Sequence, residues 1–268
     1  MASTFPIRAL RWLRRHRAGR IVCTRPAHVF CPGGAISFTF DDFPRSALTA
    51  GGAILEKYGC RGTYYTALNL AGTRDVLGPM FEPGDICAAH QQGHEIACHT
   101  FRHVNCAHAG VREIAADVAD NEAALAALIP GYAPVNFAYP YGELSLRAKR
   151  ALAPRFWSCR GISEGLNFGM VDLAELRVAR IHASDYNAGA FRLLVDRAVD
   201  AGGWLIFYTH DVADAPSPFG CTPEQLEEIV SYAAVRASVL PVCDVVARLG
   251  LAEAAPASSA HRQQDARM

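Results

Sequence analysis

Residues 35–42 read AISFTFDD, a run of strand-forming residues that ends abruptly in two adjacent acids, Asp41 and Asp42. Like charges side by side repel, so a strand that delivers both at its tip calls for a compensating charge nearby. Outward from this stretch the chain alternates. RSALTAGGAILEKYG reads as a helix opened by Pro44 and closed by Gly59, GTYYTAL as a strand, PGDICAAHQQG as a short helix and HEIACHT as a strand. Val111, Ile114, Ala115, Val118, Leu125 and Leu128 keep helical spacing, with Pro130 just past the end. VNFAYPYG, RFWSCRG, ELRVARIHA and WLIFYTHDV read as further strands, and Thr222-Pro223-Glu224-Gln225 as a capped helix start. Strands alternating with helices predict an α/β fold with a mainly parallel sheet or barrel. The strands are almost continuously apolar, as expected when helices cover one face and a filled interior the other.

Polar residues mark the strand ends: Asp41 and Asp42, His99, Tyr141 and His210. In a parallel barrel those ends gather on one rim, where active sites are built. His90, His94, His99, His103 and His108 crowd one segment, and the pair in His99-Thr-Phe-Arg-His103 has spacing that can aim two imidazoles at one metal. A third ligand from Asp41 or Asp42 would leave coordination positions open, a catalytic rather than a structural pattern. The other acid would then be free to take a proton from water. The competing reading has both acids at the start of the helix near Pro44, favoured there by the helix dipole. His210 closes an apolar strand and suits a general acid that protonates a leaving amine. The turn at Pro140-Tyr141-Gly142 places a backbone N–H where a developing oxyanion could sit. His94, at the start of its strand, and Cys106 read as structural residues.

Composition narrows the classes. The 268 residues fit one large domain, and 51% hydrophobic against 19% charged residues describe a soluble, core-rich chain. A formal net charge of zero gives no reason to expect nucleic acid as a partner. No apolar run reaches the length of a transmembrane segment. No acid precedes Asp41, while Arg8, Arg11, Arg14, Arg15, Arg17 and Arg20 crowd the start. Residues 1–34 are therefore read as a basic arm and lead-in, 35–250 as the folded domain and 251–268 as a disordered tail. Phe5, Ala9, Trp12 and Leu13 could share a helical face, which leaves open peripheral contact with a membrane surface. Nine scattered cysteines with no C-x-x-C pair and no signal-peptide pattern point to reduced thiols and a cytoplasmic protein.

Taken together, TFDD at 39–42, HTFRH at 99–103, YPYG at 139–142 and LIFYTH at 205–210 resemble, in order, the first, second, third and fifth motifs of the NodB-homology polysaccharide deacetylases. The likeness runs from about Ala35 to about Leu249 and places the chain near carbohydrate esterase family 4. It implies a distorted (β/α) barrel of about seven parallel strands in place of the usual eight. It implies a divalent metal, commonly Zn2+ with Co2+, Mn2+ or Ni2+ as alternatives, on Asp42, His99 and His103. Asp41 would be the base, His210 the acid and the backbone of Tyr141 part of the oxyanion site. The substrate would be an N-acylated, foremost N-acetylated, amino sugar or glycan, hydrolysed at a C–N bond. Related branches act on lipid-linked formamido sugars or cyclic amides, and a degenerate member would bind glycan without cleaving it. In two places the chain departs from the pattern. Ala138 stands where many members carry the third-motif arginine that orients the base, and the fourth motif is not recognisable. Arg160, which falls in that fourth-motif region, is the candidate to supply the missing charge.

Overall fold

The computed structural model describes residues 18–252. The clustered arginines of the arm from Arg8 to Arg17, its possible amphipathic face and all but the first two residues of the tail lie outside them. Seven parallel strands form the barrel: β1 (Ala35–Asp41), β2 (Thr63–Thr66), β3 (Glu95–Cys98), β4 (Asn136–Ala138), β5 (Ser158–Glu164), β6 (Leu176–Arg180) and β7 (Trp204–Thr209). The ring closes where β7 pairs with β1 over six register partners, Trp204↔Ala35 through Thr209↔Phe40. Every residue of β1 is buried, because one face meets helices and the other the barrel interior.

The helices are α1 (Ala53–Lys57), α2 (Pro83–Gln91), α3 (Val111–Leu128), α4 (Leu146–Leu152), α5 (Ala188–Ala201), α6 (Pro223–Ala234) and α7 (Val242–Arg248). The segment after Pro44 winds first as a wide turn over Ala47–Gly52 and becomes α-helical at Ala53. The cap position is Ser46, while the Asp41 carboxylate is engaged by Arg160 and Asp42 Oδ1 takes no hydrogen bond, so neither acid caps this segment. The expected start of α6 is present: Gln225 N–H donates to Thr222 Oγ1 and Thr222 N–H to Gln225 Oε1.

The barrel interior is polar at its floor. Glu95 accepts from Thr63 Oγ1 at 2.8 Å, Asn136 Nδ2 at 2.6 Å and the Cys243 N–H at 2.9 Å, so α7 is stitched across the bottom. Burial pushes the Glu95 carboxyl up despite these donors. Barrel strands that read as apolar thus carry hydrogen-bonded polar residues in the interior, beside an apolar cluster that includes Leu176, Val178, Trp204 and Ile206.

The lead-in also joins the fold. Pro26–Val29 pairs antiparallel with Gly169–Asp172, an addition that the strand–helix alternation did not signal. Asp172 anchors it, accepting from the N–H groups of Thr24 and Arg25 at 2.9 Å each and that of Ala174 at 3.0 Å. Buried Lys149 lies 2.8 Å from Asp172, 2.9 Å from Glu175 and 2.7 Å from the Gly19 carbonyl, one acceptor for each of its protons. Burial works to raise the Asp172 carboxyl, but Lys149 and the backbone donors outweigh it and hold the group below its ordinary range. A depressed folded pKa contributes stability above the unfolded value, and that contribution is lost as pH falls through the folded one. Asp172→Asn is therefore expected to cost about 2–4 kcal/mol at pH 7 and progressively less toward pH 3. Urea unfolding at the two pH values checks this; an equal loss at both would contradict it.

Candidate active site

The C-terminal ends of the strands converge on one rim. Asp41 ends β1 and Asp42 follows it; His99 follows β3, Tyr139 follows β4 and His210 follows β7. His103 is brought back to His99 by a tight loop. Asp117, fully buried on α3, accepts from the N–H groups of Phe101 and Arg102 at 2.8 and 2.9 Å and from Arg102 Nε at 2.6 Å. One helical turn on, Asn121 accepts from the Leu68 N–H at 3.0 Å and donates to the Thr66 carbonyl at 3.0 Å. Sequence reading passed over both residues, although they share the inward face of Ile114, Val118 and Leu125. Polar residues at core positions of a helix were the available signal.

Five residues other than glycine have positive φ among the described residues: Asp42, Phe43, Thr100, His103 and Tyr141. Four lie within the three motif segments at the rim, and Phe43 directly follows the first. A left-handed backbone at such residues costs roughly 1–2 kcal/mol each and persists only where the surroundings dictate it. Strain is therefore concentrated where the side chains must be aimed.

Asp42, His99 and His103 bring one ligand atom each within 4.8 Å of one another. Asp42 Oδ1 lies 3.1 Å from His103 Nε2 and 3.5 Å from His99 Nε2, yet this buried oxygen takes no hydrogen bond. His99 Nδ1 is 2.8 Å from the Ala138 carbonyl, which makes Nδ1 the protonated nitrogen and turns the Nε2 lone pair toward Asp42. Burial pushes His99 down to about 3 and His103 to about 4, so both rings are neutral near pH 7. Three lone pairs then face one point, an arrangement that a divalent cation reconciles. One carboxylate and two imidazoles fit zinc or a neighbouring first-row ion.

The two acids sit in opposite environments. Asp41 is buried and ion-paired through Oδ1 with Nη2 of Arg160, itself buried in β5. The guanidinium lies over the Tyr65 ring at 4.7 Å and the Tyr208 ring at 5.3 Å, both within cation–π range. Burial alone would raise the Asp41 carboxyl; Arg160, helped by His99 and His210, holds it below the ordinary range. Asp42 is pushed up to about 6, first by burial, with His210 opposing and Asp41 reinforcing the rise. Neighbouring carboxylates with pKa values driven apart are how one site keeps two acids in separate roles.

Arg160 is the register partner of Ala138 across β4 and β5. The charge beside Asp41 thus stands one strand along the barrel from Ala138. His210 Nε2 stands 4.0 Å from Asp42 Oδ2, and its Nδ1 lies 3.3 Å from the Phe219 carbonyl. Tyr141 is 60% exposed, its ring centroid 4.4 Å from that of His103. His94 lies away from this group, buried, with Nδ1 accepting from the Gly62 N–H at 2.9 Å, and Cys106 is buried in a core cluster. Both are structural.

Residues 31–154 match the family profile described as polysaccharide deacetylase, and the match spans the Asp pair, the histidine pair and the Tyr141 turn. Over that stretch, a little under half of its length, the chain is similar to the polysaccharide deacetylase family. Solved structures share the barrel. A Mycobacterium smegmatis protein assigned as a polysaccharide deacetylase superposes with a TM-score of 0.61 at 18% identity, covering 85% of this chain and 95% of that one. A family 4 acetyl xylan esterase of Clostridium thermocellum, in complex with a cobalt ion, gives 0.56 at 23% identity, covering 81% and 92%. The CE4 domain of a multidomain xylanase from the hindgut metagenome of Trinervitermes trinervoides gives 0.56 at 17%, covering 81% and 91%. Curated protein sequences gave no match. At these identities the structural likeness speaks for the fold. The placement of Arg160 beside Asp41 is read from this chain's own geometry.

Proposed function

We propose that the protein is a metal-dependent deacetylase that hydrolyses the N-acyl group, acetyl foremost, of an amino sugar or glycan. One observation carries this reading: an Arg160-paired Asp41 lies beside the convergent Asp42, His99 and His103, with His210 4.0 Å from Asp42. Asp42, His99 and His103 would hold a divalent metal, which when bound polarises the acyl carbonyl and acidifies water. Asp41, kept ionised by Arg160, accepts a proton from the water whose oxygen forms the new bond to the acyl carbon. The Tyr141 N–H donates to the carbonyl oxygen as it gains charge. His210 delivers its proton to the sugar nitrogen as the C–N bond breaks, leaving a carboxylic acid and a free amine.

The decisive experiment measures acid released from acetylated chito-oligosaccharides, acetylated peptidoglycan fragments, O-acetylated xylan and formamido-sugar lipids, with and without chelator. Turnover of at least one amide substrate is expected, falling to background with chelator and returning on zinc addition. Release that survives exhaustive chelation would contradict the metal assignment, and turnover of xylan esters alone would contradict the amide assignment.

A further inference from the structure

We propose that the loop from Asp211 to Cys221 positions His210, and that the buried Asp211 carboxylate sets that loop; this rests on His210 being the general acid. Asp211 directly follows His210 and is 3% exposed, and its carboxylate is bonded within its own loop. It accepts from the Ser217 N–H at 2.7 Å and from Ser217 Oγ, which in turn accepts from the Phe219 N–H at 3.1 Å. The Cys221 N–H closes the ring onto the Asp211 carbonyl at 3.0 Å, and the Ala183 N–H ties it to the neighbouring segment through the Gly220 carbonyl at 2.8 Å.

The result is a backbone carbonyl aimed back at the end of β7. Phe219 O lies 3.3 Å from each of three donors: the His210 N–H, Thr209 Oγ1 and His210 Nδ1. A carbonyl accepts a hydrogen bond but does not take a proton at neutral pH. His210 Nδ1 therefore keeps its hydrogen, and Nε2, the nitrogen facing Asp42, is the one that exchanges a proton with substrate. Position 220 leaves no room for error. A Cβ there would lie 2.4 Å from Asp211 Oδ1 and 2.5 Å from the Asp211 carbonyl oxygen, so the close approach requires glycine.

Asp211→Ala removes the carboxylate, while Gly220→Ala displaces the loop and keeps every hydrogen-bonding group. Both are expected to lower kcat about 10- to 100-fold on the best substrate. KM and zinc content are expected within about twofold of wild type. Asp211→Asn can still accept from the Ser217 N–H and donate to Ser217 Oγ, so it is expected to recover most of the lost kcat. Nitrogen-15 NMR of histidine-labelled, zinc-loaded protein should show His210 protonated at Nδ1 in wild type and a mixed tautomer in the two alanine variants. Wild-type kcat in both alanine variants, an Asn variant as slow as Ala, or a wild-type His210 protonated at Nε2 alone with Nδ1 bare would overturn the proposal. The NMR outcome stands even if a loop variant fails to fold. Turnover retained by His210→Gln would instead overturn the acid assignment, which the loop variants leave intact.

Discussion

Asp41→Asn is expected to lower kcat by about 10³-fold while KM and bound zinc stay near wild type. Asparagine keeps the shape of the side chain and one oxygen to accept from Arg160, so the ion-paired geometry is perturbed little. What it loses is the capacity to accept a proton. Asp42→Asn is expected to fail differently. It weakens one of three converging ligand atoms, so its activity should return as the zinc concentration rises, whereas that of Asp41→Asn should not. Zinc titration of kcat for the two variants separates these outcomes. If Asp41→Asn kept more than about a tenth of wild-type kcat at saturating zinc, the base would have to be sought elsewhere.

The barrel and most of its rim are legible in the sequence because each depends on local pattern. The alternation of strand and helix gives the architecture, α3 is read to its observed limits, and the motif residues fall at strand ends. What stays hidden depends on contacts between distant segments. Pairing of Pro26–Val29 with Gly169–Asp172 joins strands far apart in the chain and carries no strong alternation. Asp117 and Asn121 look like polar interruptions of an amphipathic helix until their donors on other loops are seen. The Tyr65 and Tyr208 rings come from strands on either side of Asp41, and only barrel closure puts both against Arg160. Asp211 reads as one more acid at the end of a strand; the six-residue reach to Ser217 that gives it meaning is a matter of loop conformation.

Arg160 supplies the charge that pairs with Asp41. Arg160→Ala removes the cation that lets Asp41 stay ionised while buried, and breaking such a pair costs about 3–5 kcal/mol because the remaining charge has no partner. A fall in kcat of about 10²-fold or more is expected alongside it, since the base loses both charge and orientation. Arg160→Lys should recover little, because a lysine lacks the planar fork and stacks poorly between the two tyrosine rings. Arginine placed at the register partner should recover more. Ala138 and Arg160 sit opposite each other on neighbouring strands, about 4.8 Å apart, and Ala138 packs with Tyr65 and Ala97 in the same buried layer. A guanidinium from position 138 can therefore reach the carboxylate that Arg160 holds, entering the space that Arg160→Ala vacates. Ala138→Arg combined with Arg160→Ala is expected to regain at least about tenfold in kcat over Arg160→Ala alone, with part of the lost unfolding free energy. Ala138→Arg by itself should be the worst-folded of the set, because two guanidinium groups would compete for one buried carboxylate. Kinetics and urea unfolding of the four proteins decide it. A folded double variant no faster than Arg160→Ala would mean that Arg160 does more than hold Asp41, and that a charge moved by one strand is not enough to explain the site.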